Sequence, residues 1–386
     1  MKKIRRYDLD WLRVIVFALL IFYHVGMFFV PWGWHIKNNV IYEELKIPMI
    51  FLNQWRLPIL FVISGMGTAY ALSYRSGGEF IKERFLRLGI PLLFGILMIV
   101  PPQVYIERLY QGVFDASYFQ FYINEAFTKG PYPVGNTSWH HLWFLPYLLV
   151  YSFILTPVFL AFRKNDENKF LNWARTKVSK NPFSLFWCIL PLYLYEALLE
   201  PFFDVTHDLT SDWFNFISSL TLFFYGYLLI QLKEHFWIAI DKIKSKTLLI
   251  GIATFSLQLI VWFTLEDSIT VHFGEALLKV ANIWAWIITI FGYASKYLNR
   301  SSKHLAYLNQ AVYPFYILHQ TIIVILAYFL YDINMSLAPK FLLLVMGTFG
   351  ITWIIYEFII RRISLIWPLF GLKKALKVSK NQDVKA

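Results

Sequence analysis

Ten apolar stretches, each long enough to cross a lipid bilayer, recur along this chain. A hydrocarbon core of about 30 Å takes about 20 helical residues, and an α-helix satisfies its own backbone hydrogen bonds in lipid. The predicted spans are 11–31, 47–72, 86–107, 142–162, 183–201, 213–231, 247–265, 273–295, 310–331 and 338–360. The sequence therefore predicts an all-α, polytopic transmembrane bundle of about ten helices.

The distribution of Lys and Arg predicts the orientation of these spans. Six segments on one side are basic: 1–8, 73–85, 163–182, 232–246, 296–309 and 361–386. Three loops on the other side contain neither residue: 202–212, 266–272 and 332–337. Because short basic loops stay in the cytoplasm, we expect both termini there. We also expect one transmembrane domain over 1–370 and a basic cytoplasmic tail over 371–386.

The composition limits the classes of molecule that we expect this chain to contact. The chain is 58% hydrophobic and 16% charged, whereas soluble domains are about 25% charged. Its net charge of +12 lies in short runs between apolar stretches, so we expect lipid headgroups as partners and no nucleic acid. The basic, aromatic character favours a bacterial inner or plasma membrane. A single cysteine, Cys188, and the lack of any soluble-enzyme motif predict no disulfide and no metal cofactor.

Two ionisable side chains lie inside the first span, Arg13 and His24. Such a group at membrane depth costs about 2.5–3.5 kcal/mol on insertion scales, which makes it a functional candidate. Their separation is almost three helical turns, so both share one helix face, about 16 Å apart along the axis. We predict that they line one cavity, with Arg13 near the cytoplasmic mouth and His24 past the midplane. The alternative for His24 is a structural bond to a neighbouring helix.

Three further arginines are candidates. Arg56, just before Pro58 in the second span, is either the counter-ion of a buried carboxylate or an anchor for a polar substrate. Arg84 and Arg87 lie i, i+3 on one face where the third span begins. They are either ordinary topology charges or, together with Arg13, a clamp for a polyanionic ligand, because guanidinium binds phosphate in a bidentate way.

Histidines occur at two other membrane positions. His140 and His141 stand at the outer end of the fourth span and point to different faces, so they are a poor metal pair. We expect each of them to be an interface residue among aromatic neighbours. His319 is predicted near mid-depth in the ninth span, where it can face His24.

Glu357 is the acidic candidate near the inner end of the tenth span. We expect it to pair with Arg13 or with Arg361, in a structural role. The long outer segment 108–141 is predicted to form part of a lid or of an acceptor site, since loops of this length are commonly functional.

Taken in order, these residues resemble the membrane acyltransferase-3 family. The opening Asp8-Leu9-Asp10-Trp11-Leu12-Arg13, followed by ten residues and His24, is similar to the family signature. Further matches are Arg56-Leu57-Pro58 leading into Phe61-Val62-Ile63-Ser64-Gly65, Arg84 to Arg87, His141-Leu142-Trp143-Phe144-Leu145, and Tyr316-Ile317-Leu318-His319-Gln320. Trp34-His35-Ile36-Lys37-Asn38 looks most like the branch named for glucan biosynthesis protein C, which is associated with succinyl transfer. So does the lack of a C-terminal esterase-like domain. The matches cover nearly the whole chain.

The resemblance implies an O-acyltransferase. The donor would be cytoplasmic acyl-CoA, either acetyl-CoA or succinyl-CoA, and the acceptor a hydroxyl of an extracytoplasmic polysaccharide, glucan or glycolipid. His24 would be the general base and Arg13 would orient the donor, while Arg84 and Arg87 grip its phosphates. The substrate-binding or supporting residues would be Arg56, His141, His319 and Glu357. Direct transfer and a covalent acyl-histidine are alternatives.

A transporter of a polar metabolite or lipid-linked sugar is the rival from another class. In that interpretation Arg13, Arg56 and His24 line the pathway. Such proteins are commonly built from paired repeats, and no internal repeat is visible. A sensory or scaffold protein leaves the buried Arg13 and His24 without a purpose.

Overall fold

Ten long helices make up most of the part of the chain that the structure describes. The computed structural model describes residues 5–165 and 168–372, and within them there is no β-strand, only one isolated bridge between Pro131 and Thr137. The helices long and apolar enough to cross a membrane are α1 Tyr7–Met27, α2 Glu43–Leu72, α3 Gly77–Tyr110, α4 His140–Lys164, α5 Pro182–Phe202, α6 Trp213–Gln231, α7 Glu234–Thr264, α8 Ile269–Tyr297, α9 Lys303–Leu330 and α10 Leu337–Ile360. The predicted all-α fold and number of spans are confirmed.

Several helices are longer than the apolar runs that predicted them. Helix α7 begins at Glu234 rather than at 247, and α3 begins at Gly77 rather than at 86. The extra turns are polar, so hydropathy alone does not detect them. Two shorter helices, Tyr118–Asn124 and Lys169–Lys180, lie between the spans. Ser117 begins the first of these with a capping box.

Helices α1 and α9 pack side by side at the centre of the bundle. Helix α1 contacts α2, α8, α9 and α10, and α9 also contacts α3 and α10. His319 of α9 is fully buried and His24 of α1 lies against it, so both rings face the inside of the bundle. Helices α2 and α6, and α7 and α8, form the two other extensive packing pairs.

Glycines allow α2 and α6 to approach each other closely. A Cβ atom added to Gly65 would lie 1.9 Å from the carbonyl oxygen of Phe223, and one added to Gly226 would lie 2.0 Å from that of Val62. Small residues permit this kind of backbone contact between membrane helices. The Ser64-Gly65 step is therefore a packing element.

Helix α3 departs from regular α geometry near its candidate arginines. Two π-helical turns, Phe85–Gly89 and Gly95–Ile99, flank a short α segment that contains Pro91. Proline removes a backbone donor and frees a carbonyl, which is a common origin of such irregular turns. The Tyr313 hydroxyl donates to the Arg87 carbonyl at 2.8 Å and so satisfies one such acceptor.

Both described chain ends lie at the same end of the bundle. Arg6, just before α1, donates to the Ser295 hydroxyl at 2.8 Å, and the Gly371 carbonyl accepts from Arg87 Nε at 3.4 Å. We call this end, where α1 begins and Arg13, Arg84 and Arg87 lie, the basic end. The opposite one is the far end. The predicted basic tail lies outside the described residues except for Gly371 and Leu372.

Candidate functional site

A cavity of about 270 Å³ opens at the basic end. Arg13, Arg84 and Arg87 all line it, as does Arg75, and Glu83 is the carboxylate in its wall. The prediction that Arg13, Arg84 and Arg87 lie together is thus confirmed. Four guanidinium groups against one carboxylate give the cavity wall an excess of positive charge, which favours an anionic ligand.

Each of the three predicted arginines is held by the protein on one side. Arg13 lies 3.6 Å from Asp10 and donates to Asn309 at 3.2 Å, and Asn309 in turn donates to Asp10 at 3.2 Å. Asp10 of the opening motif therefore helps to orient Arg13.

The other two arginines are anchored from α2 and α3. Arg84 donates to the Thr68 hydroxyl at 2.6 Å, and Arg87 lies 3.8 Å from Glu83. The Arg87 side chain remains 51% exposed. A guanidinium has five N–H donors, so one or two protein contacts leave donors for a ligand.

A histidine pair lies deeper in the bundle. His24 Nδ1 on α1 is 2.8 Å from His319 Nε2 on α9, with the two rings nearly coplanar at 9°. His319 Nδ1 faces the carbonyl oxygens of Tyr316 at 2.7 Å and Phe315 at 3.2 Å. The prediction that His319 faces His24 is confirmed.

The backbone contacts define the tautomers of the pair. A carbonyl oxygen only accepts, so His319 Nδ1 carries the proton and a neutral His319 has its lone pair on Nε2. His24 then donates from Nδ1 to His319 Nε2, which leaves the lone pair of His24 on Nε2. The arrangement prepares His24 Nε2 to accept a proton, with His319 in the orienting position that a carboxylate occupies in other catalytic systems.

Arg56 is a buried cation next to this pair. It is 2% exposed, and its guanidinium stacks 3.7 Å from the centre of the Tyr23 ring. Its Nε and Nη1 atoms are buried and have no hydrogen-bond partner among the described residues. A counter-ion role to a buried carboxylate is therefore not what the described structure shows, and the anchor role remains. Arg56 is close enough to His24 and His319 for their charges to interact.

His141 belongs to a hydrogen-bonded layer above the pair. Its ring centre lies 5.1 Å from that of His319, and its Nε2 is 3.0 Å from the Ile317 carbonyl. The Tyr316 hydroxyl donates to the His141 carbonyl at 2.7 Å. His141 therefore contacts α9 next to His319 through both its ring and its backbone, and its supporting role remains a prediction.

The layer continues to the far end through residues that were not among the predicted site residues, although His35 and Gln320 belong to motifs of the family resemblance. Gln103 and Gln320 are joined at 3.2 Å, and Gln320 lies 3.1 Å from His35 Nε2. His35 Nδ1 is 2.5 Å from the Glu107 carboxylate, whose other oxygen accepts from Tyr132 at 2.9 Å. Gln103 and Glu107 are four residues apart, so both lie on the inner face of α3; that spacing was the available signal.

The basic-end cavity and the histidine pair are not joined by an open passage. Phe17 and Tyr316 line the cavity at its inner end, with their rings in edge contact at 5.4 Å. The Tyr316 ring is 6.1 Å from that of His319. The expectation that Arg13 and His24 line one cavity is corrected: Arg13 lines it, whereas His24 lies beyond these two rings, because helix–helix packing fills the space between them.

A second, apolar cavity of about 240 Å³ lies between α1, α9 and α10. His319 is its one histidine, and Phe17, Val312 and Tyr316 line both cavities and so lie between them. The histidine pair is therefore approached from one side by an apolar space.

Glu357 lies apart from this site. It pairs with Arg361 at 2.6 Å and accepts from the Tyr307 hydroxyl at 3.0 Å, and it does not contact Arg13. The predicted structural pair with Arg361 is confirmed and the alternative pair with Arg13 is not formed. Glu357 lies in the last turn of α10, where Arg361 is its i,i+4 neighbour.

The comparisons with known proteins agree with the fold and the order of the motifs. The acyltransferase domain of the acyltransferase-3 family matches residues 6–357. Proteins from Salmonella schwarzengrund and Salmonella typhi, each named glucans biosynthesis protein C, are 26% identical to the chain over 391 residues. The alignments cover 97% of this chain and 96% of each relative. No solved structure matches the chain.

A match over residues 6–357 takes in all ten spanning helices except the last turn of α10, and with them every candidate site residue. It favours group transfer over the transporter alternative. The chain belongs to the acyltransferase-3 family and is a membrane acyltransferase.

Proposed function

We propose that this protein transfers an acyl group from acyl-CoA, bound at the basic end, to a hydroxyl of a glucan or related carbohydrate at the far end. The observation that carries the proposal is the His24–His319 pair at 2.8 Å, whose tautomers leave His24 Nε2 free to take a proton. The pair lies beyond a cavity lined by arginines, so a donor site and a base lie along one axis.

The reaction needs one proton transfer in each direction. His24 Nε2 takes the proton of the acceptor hydroxyl while its oxygen attacks the thioester carbonyl. The C–S bond then breaks, the thiolate of CoA leaves, and the imidazolium returns the proton to the sulfur. His319 stabilises the imidazolium by accepting from His24 Nδ1, because its own Nδ1–H stays hydrogen-bonded to the Tyr316 carbonyl and its lone pair stays on Nε2.

The arginines suit the donor. CoA carries phosphates, and guanidinium binds phosphate with paired N–H bonds. Arg13, Arg84 and Arg87 surround the basic-end cavity, and the pattern of Lys and Arg in the loops predicts that this end faces the cytoplasm. The phosphates would remain there while the extended arm of CoA carries the thioester inward.

Arg56 completes the chemistry as the donor to the developing oxyanion. Its Nε and Nη1 atoms, which have no hydrogen-bond partner among the described residues, are buried near the histidine pair. In a low-dielectric site, a preorganised donor of this kind stabilises charge that develops in the transition state. The same guanidinium would hold the carboxylate of a succinyl group if succinyl-CoA is the donor.

The acceptor in this proposal is a carbohydrate hydroxyl. The Salmonella relatives are named for glucan biosynthesis, and a glucan supplies hydroxyl groups outside the cytoplasm. Acetyl and succinyl groups both fit the chemistry.

Movement of Phe17 and Tyr316 must connect the donor cavity with His24 during each cycle.

The test is mass spectrometry of envelope glycans from cells that carry His24→Ala. A general base contributes about 10²–10⁴-fold, so the acyl mass should disappear from the glycan while protein abundance stays normal. His304→Ala is the matched control, because this histidine is exposed on the basic end of α9. Normal acyl content in the His24 variant would overturn the assignment of the base.

A further inference from the structure

Three ligand-type side chains meet at the far end, outside the donor cavity. One atom each of His35, Glu107 and His140 lies within 4.8 Å of the others. His35 and Glu107 are buried, at 8% and 3% exposed, and His140 is partly buried. They come from three separate segments: the loop after α1, the last turn of α3 and the first turn of α4.

His140 shows two features that the acyltransferase function leaves unexplained. Its Nε2 is buried and has no hydrogen-bond partner among the described residues. Its backbone φ is +40°, an unfavourable conformation for a residue with a side chain. Backbone strain of this kind persists where the surrounding structure holds a side chain in a required position. Here the ring is held edge-on against His35 and Tyr132, with both ring centres 4.7 Å away.

We propose that His35, Glu107 and His140 bind a divalent transition-metal ion, with Zn²⁺ as the best match. Two imidazoles and one carboxylate are a donor set that zinc uses, with three protein ligands and one open position. The ligand atoms of a tetrahedral zinc lie about 3.3 Å apart, given metal–ligand bonds of about 2.0–2.2 Å. The present spacing reaches this with small side-chain movements.

Binding moves one proton within His35. In the metal-free arrangement His35 Nδ1 donates to the Glu107 carboxylate at 2.5 Å. The ion takes the place of that proton between the two groups and the proton moves to His35 Nε2, so the neutral imidazole coordinates through the lone pair of Nδ1. The Gln320 amide next to Nε2 then turns its oxygen toward the ring to accept the new N–H. His140 coordinates through its unpartnered Nε2.

The groups around the three ligands match those of a metal site. Tyr132 donates to the second oxygen of Glu107 at 2.9 Å, and the Gln320 amide lies 3.1 Å from His35 Nε2. Such outer partners orient the ligands of protein-bound metals. The nearby cation Arg108 is directed to the carbonyl oxygens of Pro133 and Gly135, at 2.8 Å each.

The ion would fasten the loops of the far end to one another. It would join the segment after α1 to the ends of α3 and α4, and its open position would face the space where the outer loops meet. The proposal is independent of acyl transfer, because it concerns residues that take no part in the proposed proton transfer.

The test measures metal directly on the full chain in detergent. Protein stripped with EDTA is dialysed against ZnCl₂ and analysed for zinc by mass spectrometry, and then loaded with Co²⁺ for its visible absorption spectrum. We expect about one ion per chain and the strong d–d bands of a four-coordinate site. His140→Ala and Glu107→Gln should each weaken Zn²⁺ binding by more than about 100-fold, and Tyr132→Phe by about 10-fold.

His304→Ala serves as the control and should bind Zn²⁺ as the original chain does. Thermal unfolding in EDTA checks that each variant is folded, and Tyr132→Phe keeps the test valid if a ligand variant does not fold. Less than about 0.2 ion per chain, or unchanged affinity in His140→Ala, would overturn the proposal. Either result would leave the His24 experiment unaffected.

Discussion

The basic-end cavity and the histidine pair are both built from intramembrane charges, yet they are held very differently. The cavity arginines keep donors available, as Arg13 at 34% and Arg87 at 51% side-chain exposure show. His319 is fully buried, and both of its ring nitrogens are engaged. The proposed function uses this difference, with an exchangeable acyl donor at the cavity and a fixed proton acceptor at the histidine pair. Ligand binding at the cavity should depend on ionic strength, whereas the rate supported by the histidine pair should depend on how its side chains are positioned.

The largest effect on the transfer rate is expected at the histidine pair, whose function depends on the orientation of His24. His319→Ala removes the group that orients His24 Nδ1, and transfer should fall by about 100-fold, within the range of general acid–base catalysis. The KM for acyl-CoA should stay unchanged, since the cavity arginines are untouched. His319→Gln, whose amide oxygen can accept from His24, should recover part of the rate. Steady-state kinetics in detergent give both constants; a change confined to KM would contradict the positioning role.

The double variant Arg84→Ala/Arg87→Ala tests the other region. Loss of two charge-assisted contacts should weaken acyl-CoA binding by about 10- to 100-fold. Binding to the original chain should weaken as salt rises from low to physiological ionic strength, and the variant should lose most of that dependence. Isothermal titration at two salt concentrations measures this. Unchanged affinity would return both arginines to the role of topology signals.

Tyr316 separates the two regions and allows the boundary to be tested. Tyr316→Ala should open the cavity toward His319 and admit water, so hydrolysis of acyl-CoA without acceptor should rise on the order of tenfold, or about 1.4 kcal/mol. Tyr316→Phe keeps the ring and loses only the bond to the His141 carbonyl, so it should show little hydrolysis. Free CoA release is the readout. Equal rates in the two variants would show that the ring is not the barrier.

The smallest expected effect lies in an outer loop away from both regions. Burial against Trp143 lowers the pKa of His207 to about 4, against about 6.5 for an ordinary histidine. The unfolded loop therefore binds more protons between these values, and loop stability should fall as pH drops from about 6.5 to about 4. Hydrogen exchange of residues 206–212, expressed as protection factors, measures the loss. His207→Gln should remove the pH dependence.

Much of the molecule followed from local sequence. Helices in lipid must be apolar and satisfy their own backbone, so the ten spans were visible as ten runs. The cost of an intramembrane charge singled out Arg13, His24, Arg56 and His319 in the same way. Helix periodicity predicted that Arg84 and Arg87 would lie together, and both line the same cavity.

Contacts between distant residues followed from packing alone. Asp10 and Asn309, and His24 and His319, are about 300 positions apart, and helix rotation decides whether such side chains meet. The lack of a described partner for Arg56 and the barrier formed by Phe17 and Tyr316 likewise depend on neighbouring helices.

The sequence by itself therefore determined that this protein needs a lipid environment and how many helices cross it. It also identified the ionisable side chains whose placement inside the membrane costs free energy. Only the tertiary structure decided which of those side chains face one another, which nitrogen of His24 is free, and that His35, Glu107 and His140 converge. The physical reason is the distance over which each effect acts. Hydropathy and helix period act over a few turns, whereas hydrogen-bond geometry across the bundle depends on how whole helices pack.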